Sequence, residues 1–199
     1  MRGAWPRGFA SGAVGVVVPS KIETEIPDLV LLEAKAHGDE RGFLLESFRA
    51  NSWRELGVDC EFVQDNHSRS GRGILRGLHF QTSPGQAKLV RCVRGAIWDV
   101  VVDLRRDSPT YRRWEGVELS DSNHRQLFAP VGFAHGFCVL SEVADVAYKL
   151  SSYYDPETEA GIRWDDPEIS VQWPVEDPQL SERDAQAPTL AEIASDVPF

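Results

Sequence analysis

His79 is the side chain of this sequence best suited to proton transfer, because it stands in a long segment that carries cations and no acid. Residues 66–94 contain no Asp or Glu. Their cations are Arg69, Arg72, Arg76, Lys88, Arg91 and Arg94. Neighbouring cations disfavour the charged form of an imidazole, so a carboxylate from elsewhere in the chain must orient His79 and stabilise the imidazolium when it forms.

The charge of the whole chain indicates what such a basic segment would bind. Lys+Arg 21 against Asp+Glu 31 give a net charge of −10, which disfavours nucleic acid as a partner. A local basic segment on an acidic protein suits a small anionic ligand better than a polyanion. From charge alone, a solvated basic face explains the pattern equally well.

A metal site is the other chemistry that this region suggests. Residues 130–135 read Pro-Val-Gly-Phe-Ala-His, which resembles the second motif, P-x-G-x-x-H, of the double-stranded β-helix proteins called cupins. The corresponding first motif, residues 73–81, offers only His79, and Gln81 stands where a second histidine is usual. These ligands are too few for a first-row metal. We therefore expect a cupin jelly roll without a metal or other cofactor; stoichiometric iron in the purified protein would instead indicate a metal-dependent oxygenase.

The elements that must position these residues are short strands separated by turn residues, a pattern typical of all-β sandwiches and barrels. The nearly continuous apolar run at 96–104 predicts a strand covered on both faces. Helical signals are confined to 51–57 and 188–194. The predicted strands are 28–32, 43–48, 61–66, 74–80, 88–93, 97–103, 113–119, 126–128, 136–140, 145–150 and 169–172.

Strand alternation predicts which side chains face the interior. Along 88–93 it places Lys88 inward, on the same face as Val90. Arg76 and His79 fall on opposite faces of a regular strand. If both touch one ligand, Gly77 must mark a bulge or a strong twist.

The length of 199 residues suits one domain. We expect a flexible leader at 1–20 and a single cupin-type domain over 21–199. No apolar run approaches the ~20 residues of a membrane span, so no membrane partner is expected. The cysteines Cys60, Cys92 and Cys138 form no C-x-x-C pair, which favours a reducing cytoplasm over a disulfide framework.

A series of short motifs follows in order along the chain. They are DERGF at 39–43, FVQDNHS at 62–68, LRGLHFQ at 75–81, KLVR at 88–91, DVVVD at 99–103, PVGFAHGF at 130–137, YK at 148–149, YY at 153–154 and LSERD at 180–184. Together they resemble the dTDP-4-dehydrorhamnose 3,5-epimerase family, from about residue 26 to about residue 190. One departure is Arg183, where the family commonly has Lys. The positive charge is kept, but a planar guanidinium group carries it in place of an ammonium group.

The resemblance implies catalytic roles for three residues. His79 would remove protons from the sugar carbons next to a C4 ketone, Asp184 would orient His79, and Tyr148 would return a proton on the opposite face. Such chemistry creates an enolate, whose oxygen needs cationic or hydrogen-bonding groups. Taken without the resemblance, Tyr148 is better explained as a core aromatic and Asp184 as a surface charge.

The resemblance also implies substrate contacts. Arg76 and Lys88 would lie near the ketone oxygen and the diphosphate, and Tyr153 would stack on the nucleobase. The remaining contacts would be Arg41, Glu46, Gln64, Asn66, His135, Glu159 and Arg183. The early segment of the family reaches into the partner subunit, so Arg41 and Glu46 would serve the neighbour's site in a homodimer with exchanged N-terminal strands.

The expected activity is isomerisation: inversion of C3 and C5 of dTDP-4-dehydro-6-deoxy-D-glucose, in the biosynthesis of dTDP-deoxysugars such as dTDP-L-rhamnose. A mono-epimerase acting at C3 or C5 alone is a close alternative. A ketoisomerase on the same substrate is favoured if Tyr148 or Asp184 lies far from His79. A cupin that only binds the nucleotide sugar predicts ligand affinity that is unaffected by His79→Asn and no solvent exchange into the sugar.

Overall fold

Two antiparallel β-sheets face each other in the computed structural model, which describes residues 18–199. The predicted leader, residues 1–20, lies almost wholly outside this range. The strands are β1 (Ser20–Ile22), β2 (Val30–Glu33), β3 (Ala36–Asp39), β4 (Gly42–Leu45), β5 (Gln64–Gly71), β6 (Leu75–Gln81), β7 (Lys88–Arg94), β8 (Ala96–Asp103), β9 (Trp114–Ser120), β10 (Arg125–Ala129), β11 (Phe133–Val139), β12 (Val143–Leu150) and β13 (Glu159–Gly161). The helices are α1 (Ala50–Glu55), α2 (Glu182–Ala185) and α3 (Leu190–Ile193).

The chain passes back and forth between the two sheets. One sheet has the strand order β1-β2-β10-β7-β12-β5, and the other has the order β13-β6-β11-β8-β9. Strands β3 and β4 form a separate hairpin that pairs with no other strand of the described part of the chain. This all-β sandwich, in which β5 to β8 alternate between the sheets, confirms the predicted fold class.

Apolar side chains form three layers, one between the sheets and one on each outer face. Val90 of β7 and Val101 of β8 belong to the layer between the sheets. Leu89 faces outward toward Trp53 of α1. Val100 and Val102 face outward toward the C-terminal segment. The predicted alternation of β7 and the two-sided burial of β8 are therefore confirmed.

Some predicted elements differ from the structure. The strand predicted at 169–172 is wrong: Ile169 and Val171 are buried against the outer face of the five-stranded sheet, but their backbone joins no ladder. The strand predicted at 61–66 is found at Gln64–Gly71 instead. Both faces of this strand carry polar residues or glycine, so its sequence shows no alternation of apolar and polar positions. Hydrophobicity detects burial more readily than it detects strand pairing.

The helices are short, and α1 and α3 pack on the outer faces of the two sheets. Helix α1 ends at Glu55 within the predicted segment 51–57, and Gly57, whose φ is 108°, follows its C-cap Leu56. Helix α3 begins with a capping box in which Thr189 and Glu192 satisfy each other's backbone N–H groups. None of the helices in residues 18–199 is long and apolar enough to cross a membrane.

Candidate active site

A bulge in β6 brings Arg76 and His79 to one cavity. In the register with β11, His79 is opposite His135, whereas Arg76 is opposite Phe137, so β6 carries one extra residue. Gly77 supplies the irregularity with a φ of 134°, and a Cβ there would clash with the backbone of β11. Only glycine adopts this conformation without strain. The bulge predicted at Gly77 is confirmed.

His79 is paired with Asp184, which α2 brings from the C-terminal part of the chain. His79 Nε2 lies 2.7 Å from Asp184 Oδ1, and the Asp184 side chain is 5% exposed. Burial raises the pKa of Asp184, but the hydrogen bond from His79 and the charge of Arg183 outweigh it and hold this pKa below its ordinary value. An ionised carboxylate beside Nε2 orients the imidazole ring and stabilises its protonated form.

Most of the predicted site residues line a single cavity of about 460 Å³ that reaches between the two sheets. His79 approaches it from β6 of the five-stranded sheet, and Tyr148 approaches it from β12 of the six-stranded sheet. The predicted residues that line it are Asn66, Arg76, His79, Lys88, His135, Tyr148, Glu159, Arg183 and Asp184. A candidate base and a candidate acid therefore enter one cavity from opposite sheets.

Lys88 is a buried cation beside the base. It is 8% exposed, and its Nζ donates to the carbonyl oxygen of His79 at 3.0 Å. Burial lowers the pKa of Lys88 to about 8, against the opposing attraction of Glu159 and Asp99. Its inward orientation confirms the strand alternation and places a positive charge in the cavity next to His79.

Sequence reasoning assigned no role to Asp99, the partner of His135. His135 Nε2 lies 2.8 Å from Asp99 Oδ2, and Asp99 is completely buried in β8. A buried aspartate requires a hydrogen-bonding partner. The position of Asp99 inside the apolar run at 96–104 could therefore have indicated that it has one.

In the described residues, no three His, Cys, Asp or Glu side chains cluster as metal ligands.

Hydrogen-bonded polar side chains lie at the edge of the cavity beside His79. Arg183 forms an ion pair with Glu159, and its Nη2 lies 3.0 Å from His79 Nε2. The hydroxyl of Tyr154 donates to Glu159 Oε2 at 3.0 Å. Tyr154 also lines the cavity, and no signal in the sequence indicated it.

The remaining predicted residues lie outside this cavity. Tyr153 is 73% exposed and does not line it; the aromatic ring at this point of the chain belongs to its neighbour Tyr154. Gln64 does not line the cavity, but its Nε2 donates to Oδ1 of the lining residue Asn66 at 2.9 Å. Arg41 and Glu46 belong to the β3–β4 hairpin and its exit, and each pairs with a neighbour in sequence. Their assignment to a partner's site stays a prediction.

Comparison with known proteins identifies relatives of the chain. The profile of the family described as dTDP-4-dehydrorhamnose 3,5-epimerase matches residues 23–192. The protein of that name from Shigella flexneri is 54% identical over 165 residues, which cover 82% of this chain and 91% of the relative. A dTDP-4-dehydrorhamnose 3-epimerase from Streptomyces niveus is 47% identical over 156 residues, covering 77% of this chain and 75% of the relative.

Solved structures of proteins with related names are also similar to this chain. The dTDP-6-deoxy-D-glucose-3,5-epimerase of Legionella pneumophila, solved in complex with dTDP-4-keto-L-rhamnose, superposes with a TM-score of 0.87 at 49% identity. The match covers 90% of this chain and 97% of that one. Since sequence, matched span and fold agree, the chain belongs to the dTDP-4-dehydrorhamnose 3,5-epimerase family of carbohydrate epimerases, which have the cupin jelly roll.

Proposed function

We propose that this chain inverts C3 and C5 of dTDP-4-dehydro-6-deoxy-D-glucose, in the biosynthesis of dTDP-deoxysugars such as dTDP-L-rhamnose. The observation that carries the proposal is the arrangement of base and acid. His79, backed by Asp184, and Tyr148 enter one cavity from opposite sheets, beside the buried cation Lys88. Inversion requires a proton to leave one face of the sugar and to return on the other, which two facing groups achieve.

The reaction proceeds through an enolate. The imidazole of His79 takes the proton from a carbon next to the C4 ketone, and the electron pair of the C–H bond moves toward the ketone oxygen. Lys88 stabilises the resulting negative charge, and groups aimed at such an oxygen contribute about 10²–10³ in rate. Tyr148 then delivers a proton to the opposite face, and positioned acids and bases contribute about 10²–10⁴.

The nucleotide part of the substrate would occupy the charged rim. Arg76 is exposed at the mouth, where its Nε donates to Ser70 at 2.9 Å and its guanidinium can reach a diphosphate. Arg183 supplies a second cation at this rim. Tyr154 lines the cavity and offers an aromatic face for the base, in place of Tyr153.

We also propose that the protein works as a homodimer in the cytoplasm. The β3–β4 hairpin pairs with no other strand of residues 18–199 and exposes apolar side chains, with Phe43 63% and Leu44 75% exposed. Such a hairpin is suited to packing on a second copy, where Arg41 and Glu46 would complete the partner's cavity. All three cysteines are free thiols, which agrees with a reducing compartment.

The dimer is tested by mixing two inactive variants, Arg41→Ala and His79→Asn, after dissociation and reassociation. If Arg41 serves the neighbour, each mixed dimer regains one intact site, and random pairing returns about a quarter of wild-type activity. If Arg41 serves its own subunit, no activity returns. A monomer in light scattering would also contradict the proposal.

The catalytic proposal is tested by proton NMR of dTDP-4-dehydro-6-deoxy-D-glucose in D₂O, with a coupled 4-ketoreductase to fix the product's stereochemistry. We expect deuterium at both C3 and C5 and an inverted product, which His79→Asn no longer forms. His67→Asn is the matched control, because His67 lies on the outward face of β5 and is exposed. Deuterium at one carbon would indicate a mono-epimerase, and tight binding without exchange would indicate a binding protein.

A further inference from the structure

The proposed function gives no role to Gln86, although this side chain lines the cavity of His79 and Tyr148. Gln86 is 7% exposed and lies in the connection between β6 and β7. A side-chain amide has a donor end and an acceptor end, and each end needs a hydrogen-bond partner when it is buried. The partners of Gln86 therefore show which end is left for a ligand.

The loop after β12 determines which end of the Gln86 amide faces the cavity. Gln86 Nε2 donates to the carbonyl oxygen of Ser152 at 3.0 Å, and a carbonyl oxygen can pair only with the nitrogen end. Ser152 is held in turn, because its hydroxyl donates to the carbonyl oxygen of Gly85 at 3.0 Å. Gln86 Oε1 accepts no hydrogen bond from residues 18–199, and it retains surface that a ligand can reach. It is therefore a free acceptor in the cavity that Gln86 lines.

Gln86 belongs to the buried part of the cavity. Lys88, two residues further along, is 8% exposed and lines the same cavity, whereas Ala87 between them packs on the outer face of the sheet. The cations proposed to hold the nucleotide, Arg76 and Arg183, are exposed at the rim. A substrate whose ketone oxygen reaches Lys88 thus brings its hexose, and not its nucleotide, against Gln86.

A free amide oxygen selects a hydrogen-bond donor. The ketone and phosphate oxygens of the substrate only accept, so they cannot pair with Gln86 Oε1. The donors of the substrate are the hexose hydroxyls at C2 and C3, the hydroxyl of the deoxyribose and the N3–H of thymine. The last two belong to the nucleotide at the rim, which leaves a hexose hydroxyl as the partner of Gln86.

We propose that Gln86 is a specificity-determining residue, which accepts a hydrogen bond from the C2 or C3 hydroxyl of the hexose. The inference rests on the proposed function and adds a feature of the substrate that the site recognises. A sugar that lacks this hydroxyl leaves Gln86 Oε1 without a partner in a filled cavity. An acceptor left unpaired in this way discriminates between the two sugars by about 10–10² in kcat/KM.

The test compares three sugar nucleotides: the 4-keto-6-deoxyglucose substrate, its 2-deoxy analogue and its 3-deoxy analogue. All three have a C5 proton next to the ketone, so NMR follows deuterium incorporation at C5 in D₂O for each. We expect the wild type to favour the substrate over one analogue by about 10–10²-fold in kcat/KM. Gln86→Met should lose activity on the substrate but not on that analogue, so that the preference falls to about threefold or less.

Gln126→Met is the matched control. Gln126 is also a buried glutamine whose Nε2 donates to a main-chain carbonyl, that of Ser47 at 2.9 Å, but it does not line this cavity. Its variant should keep the wild-type preference among the three sugars. Because the preference is a ratio, a general loss of activity in either variant does not change it.

Other outcomes overturn the inference. A wild type that uses the three sugars equally would do so, as would Gln86→Met with the wild-type preference, since Gln86 would then only support the loop at Ser152. Binding of dTDP and cooperative thermal unfolding establish that the variant is folded. If it is not, Gln86→Asn, whose side chain is one methylene shorter, replaces it. A wild type that exchanges none of the three sugars would refute the proposed function itself, which distinguishes the two failures.

Discussion

Replacing Lys88 with Met should make the protein more stable and nearly inactive. Burial lowers the pKa of Lys88 from 10.5 to about 8, net of the attraction of Glu159 and Asp99. At about 1.4 kcal/mol per pKa unit, holding the ammonium in the folded protein costs roughly 3 kcal/mol. Loss of the hydrogen bond to the His79 carbonyl costs about 1 kcal/mol in return. The net gain of roughly 2 kcal/mol raises Tm by about 4–8 °C at neutral pH.

The stability that Lys88→Met gains over the wild type should depend on pH between about 8 and 10.5. The folded pKa lies below the unfolded one, so between pH 8 and 10.5 the unfolded chain binds more protons and wild-type stability rises with pH. The advantage of Lys88→Met is therefore complete below pH 8 and shrinks toward pH 10.5. Activity should fall by about 10²–10³, because the enolate oxygen loses its cation.

The assays are urea unfolding at two pH values on either side of 8 and turnover of the 4-keto sugar nucleotide. Lys21→Met is the matched control, because Lys21 also donates to a backbone carbonyl, that of Leu56, but is exposed. Its stability should change by less than about 0.5 kcal/mol. A Lys88→Met protein that is less stable than the wild type, or that retains more than about a tenth of its activity, would refute the reasoning.

Three further predictions follow from the site. In Lys88→Arg, the alkaline decline of kcat/KM near pH 8 should disappear from the pH profile, since a guanidinium stays charged there. Gly77→Ala should destabilise by about 2–4 kcal/mol in urea unfolding, whereas Gly73→Ala, with a positive φ but open space, should cost about 1 kcal/mol. Tyr154→Ala should weaken dTDP binding about tenfold or more in calorimetry, and Tyr153→Ala should change it little.

Local rules predicted much of the fold and the inner wall of the site. Two-residue alternation placed Lys88 inward, and the same rule exposed the conflict between Arg76 and His79 that the bulge at Gly77 resolves. These predictions succeeded because strand periodicity ties neighbouring residues to fixed faces. They required no knowledge of which strands pair.

Contacts between distant parts of the chain could not be predicted in this way. Asp184 lies in a polar C-terminal stretch, and only the resemblance to a family connected it with His79. Asp99 was missed because its partner, His135, belongs to a different strand. Tyr153 was implied by the resemblance alone, and both Tyr153 and Tyr154 follow the end of β12, where alternation does not indicate which ring points inward.

The separation of 105 residues between His79 and Asp184 has a consequence for the protein during its synthesis. The strands that carry His79, Lys88 and Tyr148 leave the ribosome before the segment that carries Asp184. A chain that stops before Asp184 would possess the cations that attract a nucleotide sugar and lack the carboxylate that prepares the base. We therefore expect turnover to require a chain that extends through residue 184, and a chain that ends earlier to be inactive.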